Sequence, residues 1–202
     1  MSFEKLELER QNKILNAACE MFAKHGYKKA SMKDIADVGG ISKSVLFKYF
    51  STKENLYIKI VRFASDSIRE ADENAATDAS LDSDMFSLMR GSVTSRLSLF
   101  KEYPWVYRFS YSIMFDTDPF VRALVKKELE YYGEIKEKSI LRVFNEFRGL
   151  REDISPETAR KLILWVSQGY LEEQLNKNET ELDCLKQGFD KWIDTLEKLL
   201  KK

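Results

Sequence analysis

Apolar residues recur along this chain at helical spacing, with no convincing run of strand-like alternation. Ile14, Ala17, Ala18, Met21 and Phe22 form a stripe that one helix face would bury. That helix is expected to stop at His25-Gly26, Gly26 taking a left-handed conformation. Ser31, with Asp34 three residues on, predicts a capped second helix that Gly39-Gly40 breaks. Ser42 is expected to cap a third helix reaching about Phe50. Ser51 and Glu54 have the spacing of a capping box and predict a long fourth helix to about Ala75. After a polar, turn-like stretch from Thr77 to Asp84, a fifth helix is predicted to Phe100 and a sixth from Pro104. Asp118-Pro119 and Ser155-Pro156 each put a capping side chain before a proline suited to the first helical turn, opening a seventh and an eighth. Beyond Asn176-Lys177-Asn178, Leu182, Leu185, Phe189, Trp192, Leu196 and Leu199 follow a coiled-coil-like spacing along a ninth. The predicted fold is all-α: a three-helix head containing a helix-turn-helix, then a C-terminal helical bundle, about nine helices in all.

Charge changes this picture. The 202 residues hold 33 basic and 33 acidic side chains, a net of zero. Residues 1–53, however, hold ten bases against six acids, and residues 24–53 hold seven against two. A basic head on an acidic remainder is a pattern to look for in a nucleic-acid binder. His25 is the sole histidine, and it suits the negative end of the first helix better than catalysis. Cys19 and Cys184 lie too far apart for a metal or redox motif. Asp116, Asp118, Glu128 and Glu130 have no calcium-loop spacing, and Gly39-Gly40-Ile41-Ser42-Lys43-Ser44 lacks the strand and spaced glycine of a phosphate-binding loop. No enzymatic role and no cofactor is expected. With no signal peptide and no run of 18 apolar residues, a cytoplasmic protein without membrane contact is expected.

The head has the outline of a helix-turn-helix. Ile35, Ala36, Ile41, Leu46 and Phe50 have the spacing to face inward, and Gly39-Gly40 would permit a tight turn. Lys43, Ser44, Val45, Phe47 and Lys48 are left facing outward, with Tyr49 to one side. Lys43 and Lys48 suit phosphates or guanine edges, Ser42 and Ser44 suit phosphates or bases, and Val45 or Phe47 suits a thymine methyl. Lys53 stands at a helix N-terminus, and Lys28, Lys29 and Ser31 flank the second helix, where they can reach the DNA backbone.

The run from Ile35-Ala36-Asp37-Val38-Gly39-Gly40 through Ile41-Ser42-Lys43-Ser44-Val45-Leu46-Phe47-Lys48-Tyr49-Phe50 to Ser51-Thr52-Lys53-Glu54-Asn55-Leu56 resembles the TetR family's helix-turn-helix signature. Ile14 to Ala18, Phe22 and Gly26-Tyr27 resemble that family's first helix. Gly39 stands where alanine is common and Ser44 where glycine is common. Phe47 replaces a frequent tyrosine, so a hydroxyl for phosphate is missing there, and Tyr49 or Ser44 is the substitute. The resemblance implies a DNA-binding domain over residues 1–52 and a ligand-sensing, dimerising domain over residues 53–202. It also implies a ligand pocket enclosed by the fourth to eighth helices. Aromatic residues crowd this part of the chain, as small-molecule sites require. Phe63, Phe86, Trp105, Phe109, Ile113, Tyr131 and Trp165 are the candidate lining. The last two helices are the expected dimer interface, through Leu162, Val166, Gly169, Tyr170, Leu185, Phe189, Trp192 and Leu196. The implied partners are double-stranded DNA carrying a palindromic operator, a small-molecule effector and a second copy of the chain. The implied activity is that of a transcriptional regulator, with a repressor released by an apolar or amphipathic ligand as the expected form.

Overall fold

A computed structural model describes residues 2–78, 84–146, 149–177 and 181–202. Among these residues there are nine α-helices and no named strand: α1 Leu8–Lys29, α2 Met32–Gly39, α3 Lys43–Phe50, α4 Lys53–Asp78, α5 Met85–Glu102, α6 Pro104–Met114, α7 Pro119–Glu146, α8 Pro156–Asn176 and α9 Leu182–Leu200. A single 3-10 turn, Phe3–Lys5, precedes them. Residues 79–83 of the expected polar turn, and Asn178 of the later one, lie outside the described residues.

Local chemistry sets most helix boundaries. The Ser31 hydroxyl accepts from the Asp34 N–H and the Ser42 hydroxyl from the Val45 N–H, each relieving one of the donors left open at a helix start. Asp84, Asp118 and Ser155 do the same for α5, α7 and α8. Two expectations change. The first helix breaks at Gly26 as expected, but at φ 68°, ψ 168° and not in the left-handed helical conformation, and a separate last turn carrying Tyr27, Lys28 and Lys29 follows. The cap of α4 is Thr52, whose hydroxyl accepts from the Asn55 N–H, and not Ser51. Ser51 sits at φ 61°, ψ −47°, with the Thr52 N–H bonded to the Phe50 carbonyl, which is a strained γ-turn joining α3 to α4.

The chain forms two compact units. The first comprises residues 1–68 and 102–132, the second residues 69–101 and 133–202. The units therefore do not divide at residue 52, because α6 and the start of α7 pack with the head. In the first unit α1 packs on both α2 and α6. Ile14, Ala18, Ile35, Ala36, Leu46, Leu56, Ile60 and Phe109 are fully buried. Phe22, Tyr57 and Phe109 meet pairwise with ring centroids 4.8 to 6.5 Å apart. Cys19 lies in this core, and burial pushes its thiol pKa upward. The second unit centres on Met85, Phe86, Ala159, Ile193, Leu196 and Leu200. The segment at Gly149 to Arg151 pairs with the end of α9, through Arg151 N–H to the Leu200 carbonyl and Lys202 N–H to the Gly149 carbonyl. Asp84 receives the Lys201 ammonium at 2.6 Å, which holds its carboxyl down at about 2.

Candidate nucleic-acid interface

Two short helices and a three-residue turn build this surface. Gly40, at φ 69°, caps α2 in the left-handed conformation that costs a side chain about 1–2 kcal/mol. Its N–H bonds to the Asp37 carbonyl, and the Ile41 N–H returns to the Ala36 carbonyl. Gly39 behaves differently from the sequence expectation. It is the last residue of α2, and a Cβ there would make ordinary contact with Ala17 and Ile14 of α1. Only Gly40 carries the turn.

The turn fixes how α3 leaves α2. Leu46 and Phe50 anchor α3 from below, and Phe3 packs against Phe50 and Tyr49 at 4.8 and 5.9 Å. Sequence reasoning passed over Phe3. The signal was the apolar pair Phe3 and Leu6, both buried, just ahead of the first helix. With those contacts made, Ser42, Lys43, Ser44, Phe47 and Lys48 are exposed, while Val45 and Tyr49 are half-buried at the margin. The Ser42 and Ser44 hydroxyls are 2.9 Å apart, and the Lys43 ammonium lies 5.7 Å from the Phe47 ring centre. Lys13, which the sequence reading left out, brings its ammonium beside Gly40.

The flanking residues are less free than their exposure suggests. The Lys28 ammonium pairs with Asp118, which raises its pKa and lowers that of the carboxylate. Lys53 is turned inward: its ammonium lies 4.6 Å from the Tyr27 ring centre and donates to the Lys28 carbonyl, and desolvation lowers its pKa. Tyr27 donates to Glu54 at 2.8 Å. Ser31 is engaged with Asp34 through its cap, and Lys29 is exposed.

This is a basic helix-turn-helix surface, and the comparisons with known proteins agree. Residues 14–60 match the family model for bacterial regulatory proteins, tetR family. The HTH-type transcriptional repressor AcnR of Corynebacterium glutamicum is 26% identical over 197 residues, 95% of this chain and 93% of that protein. The chain belongs to the TetR family of transcriptional regulators. It is a DNA-binding regulator, as those relatives are. The HTH-type transcriptional activator FasR of Mycolicibacterium smegmatis is 31% identical over 122 residues, 60% of this chain, and the match spans about half the length of FasR (54%). The fold of this TetR-family chain is shared by the fatty acid degradation regulator FadR from Bacillus halodurans, at TM-score 0.69 and 15% identity, covering 98% of this chain and all of that one. No helix among the described residues is long and apolar enough to cross a membrane.

The residues expected to line a ligand pocket are dispersed through this TetR-family chain. Phe109 and Ile113 are buried in the first unit, Phe109 within the aromatic cluster. Phe63 meets Tyr103 edge-on at 5.5 Å, Trp105 lies under the Lys24 ammonium, and Tyr131 is 59% exposed. In the second unit Phe86 is fully buried in the core and Trp165 is 63% exposed. Two surface hollows are lined by charged residues and glycines, one by Asp194, Glu197, Lys198, Lys201 and Lys202, the other by Glu7, Glu9, Arg10, Lys13, Gly39 and Gly40. Neither includes a residue from the expected lining.

The expected dimer residues divide in two. Leu185 and Leu196 are buried inside the second unit, and Val166 packs against the same core. Tyr170 and Phe189 stack edge to face at 4.7 Å. Leu162, Gly169 and Trp192 face solvent. The even seam read from the sequence is thus two stripes. Leu185, Ile193, Leu196 and Leu200 point inward, and Trp192 and Leu199 point outward.

Proposed function

We propose that this TetR-family regulator is a homodimeric repressor that reads a roughly palindromic operator and is released from it by a small apolar or amphipathic ligand. The observation that carries the reading is the α2–Gly40–α3 unit, which buries Leu46 and Phe50 and leaves Lys43, Ser44, Phe47 and Lys48 on one open face. In a dimer, two such helices would enter successive major grooves about 34–36 Å apart. Exposed Trp165, Trp192, Leu162 and Leu199 on α8 and α9 support pairing through the second unit. The match to AcnR, named a repressor, runs through nearly the whole chain and supports repression over activation. Residues 1–52 then act as the DNA-binding part and the rest as the sensing and pairing part.

Ligand release requires a differential affinity between the two states of about 5.5 kcal/mol for near-complete switching. The aromatic residues Phe63 of α4, Trp105 of α6 and Tyr103 at the cap of α6 are of the type such a ligand would contact. Selection of bound DNA from a random pool, followed by a release screen with apolar and amphipathic compounds, tests the reading. Enrichment of an inverted repeat is expected. No enriched sequence, or elution at monomer mass at micromolar concentration, would overturn it.

A further inference from the structure

We infer that Phe47 reads the 5-methyl group of one thymine in each operator half-site, and that Val45 does not. The inference rests on α3 entering the major groove. At about 100° per residue, Lys43, Phe47, Ser44 and Lys48 follow one another around the helix within an arc of about 140°. All four are exposed. Phe47 and Ser44 occupy the middle of that arc, and the two lysines occupy its edges. Val45 lies about 160° round the helix from Phe47, half-buried on the margin of the packed face. Phe47 is the large apolar side chain of α3 that is left exposed.

The chemistry then narrows the target. Phe47 is 38% exposed, with a ring that has neither donor nor acceptor, so it cannot bond a phosphate or a base edge. In the free protein the exposed ring gains only its contact with the Lys43 ammonium. In the major groove the one apolar group a base pair presents is the thymine methyl. The Lys43 ammonium against the Phe47 ring keeps a cation next to the contact, where it meets a phosphate or a guanine. Ser44, whose hydroxyl is shared with Ser42, supplies the polar neighbour.

The test uses the full-length protein and the operator recovered by selection. Each thymine is replaced singly by deoxyuridine, which removes only the methyl. One symmetry-related thymine per half-site is expected to weaken binding about fourfold when replaced, and about 15-fold when both are replaced. Phe47→Ala should bind thymine and uracil operators equally, Phe47→Leu should keep part of the discrimination, and Val45→Ala should keep all of it. A recovered operator with no thymine shared by its half-sites overturns the inference. So does a wild-type protein indifferent to every replacement, or a Phe47→Ala variant that still discriminates. In those cases sequence-specific binding itself survives. If no sequence is recovered at all, the DNA-reading assignment falls with it.

Discussion

The α2–α3 pair and the α8–α9 pair are both amphipathic helix hairpins, yet they dispose of their apolar residues in different ways. In α2–α3 one stripe, Met32, Ile35, Ala36, Leu46 and Phe50, is buried completely, and Val38 and Phe47 are the large apolar side chains left exposed. In α8–α9 the inward stripe of Leu185, Ile193, Leu196 and Leu200 is matched by an outward set that includes Leu162, Trp165, Trp192 and Leu199. A helix with one stripe is satisfied within its own protomer. A helix with two has apolar surface to spare, which the proposed dimer would cover. The first pair buries its stripe and leaves Phe47 among cations and hydroxyls; the second leaves several large apolar side chains uncovered, as the proposed dimer requires.

The comparison can be broken most severely from the buried side. Leu46→Ala empties a fully buried position beneath the DNA-facing helix and should cost about 2–5 kcal/mol, read as a lower midpoint in urea and lost operator binding. Next comes the exposed pair. Trp165→Ala and Trp192→Ala should each weaken dimerisation about 30-fold in analytical ultracentrifugation, with little change in the stability of the dissociated chain. Equal losses of monomer stability would mean that both regions are ordinary core.

Glycines sharpen the contrast further. Gly40→Ala should destabilise by about 1 kcal/mol because of its positive φ, whereas Gly39→Ala, in helical conformation with room for a methyl, should be neutral or stabilising. Gly169 has open space around its Cβ position, so Gly169→Ala should raise monomer stability by roughly 0.5–1 kcal/mol. A fall in dimer affinity with that same variant would show a partner helix passing close to it.

Two electrostatic effects are smaller. Asp84 has its carboxyl pKa depressed to about 2, so its contribution is present above the ordinary carboxylate range and is lost as pH falls towards that value. Asp84→Asn, which keeps the cap, should remove this acid-side loss and lower Tm near neutral pH by about 3 °C. Asp118→Asn keeps the cap of α7 while releasing Lys28. Because the pair is solvent-exposed, operator affinity should rise only a few-fold, with a steeper salt dependence as Lys28 turns to a phosphate.

What could be read from the sequence follows from how local each cause is. Ser31, Ser42, Asp118 and Ser155 act on N–H groups two or three residues away, so spacing alone located those helix starts. Thr52 was missed because Ser51, its neighbour, has the same capping chemistry, and only the backbone turn decides between them. The outward set on α3 was legible because one buried stripe implies its complement. The α9 seam was not, because Trp192 and Ile193 are adjacent in sequence and equally apolar. Which of them turns inward is decided by packing against Met85, Phe86 and Ala159, residues distant along the chain. Lys28 and Lys53 illustrate the same limit, since their partners, Asp118 and the ring of Tyr27, come from the fold.

The two cysteines make the protein a chemical clock for its own opening. Cys19 has no exposed surface and a thiol pushed away from ionisation, while Cys184 is exposed on α9. An alkylating reagent should therefore consume Cys184 at once and Cys19 only as often as the first unit opens. Repeating the measurement with operator DNA present turns the slowing of that second reaction into a binding energy, read from inside the fold without a label.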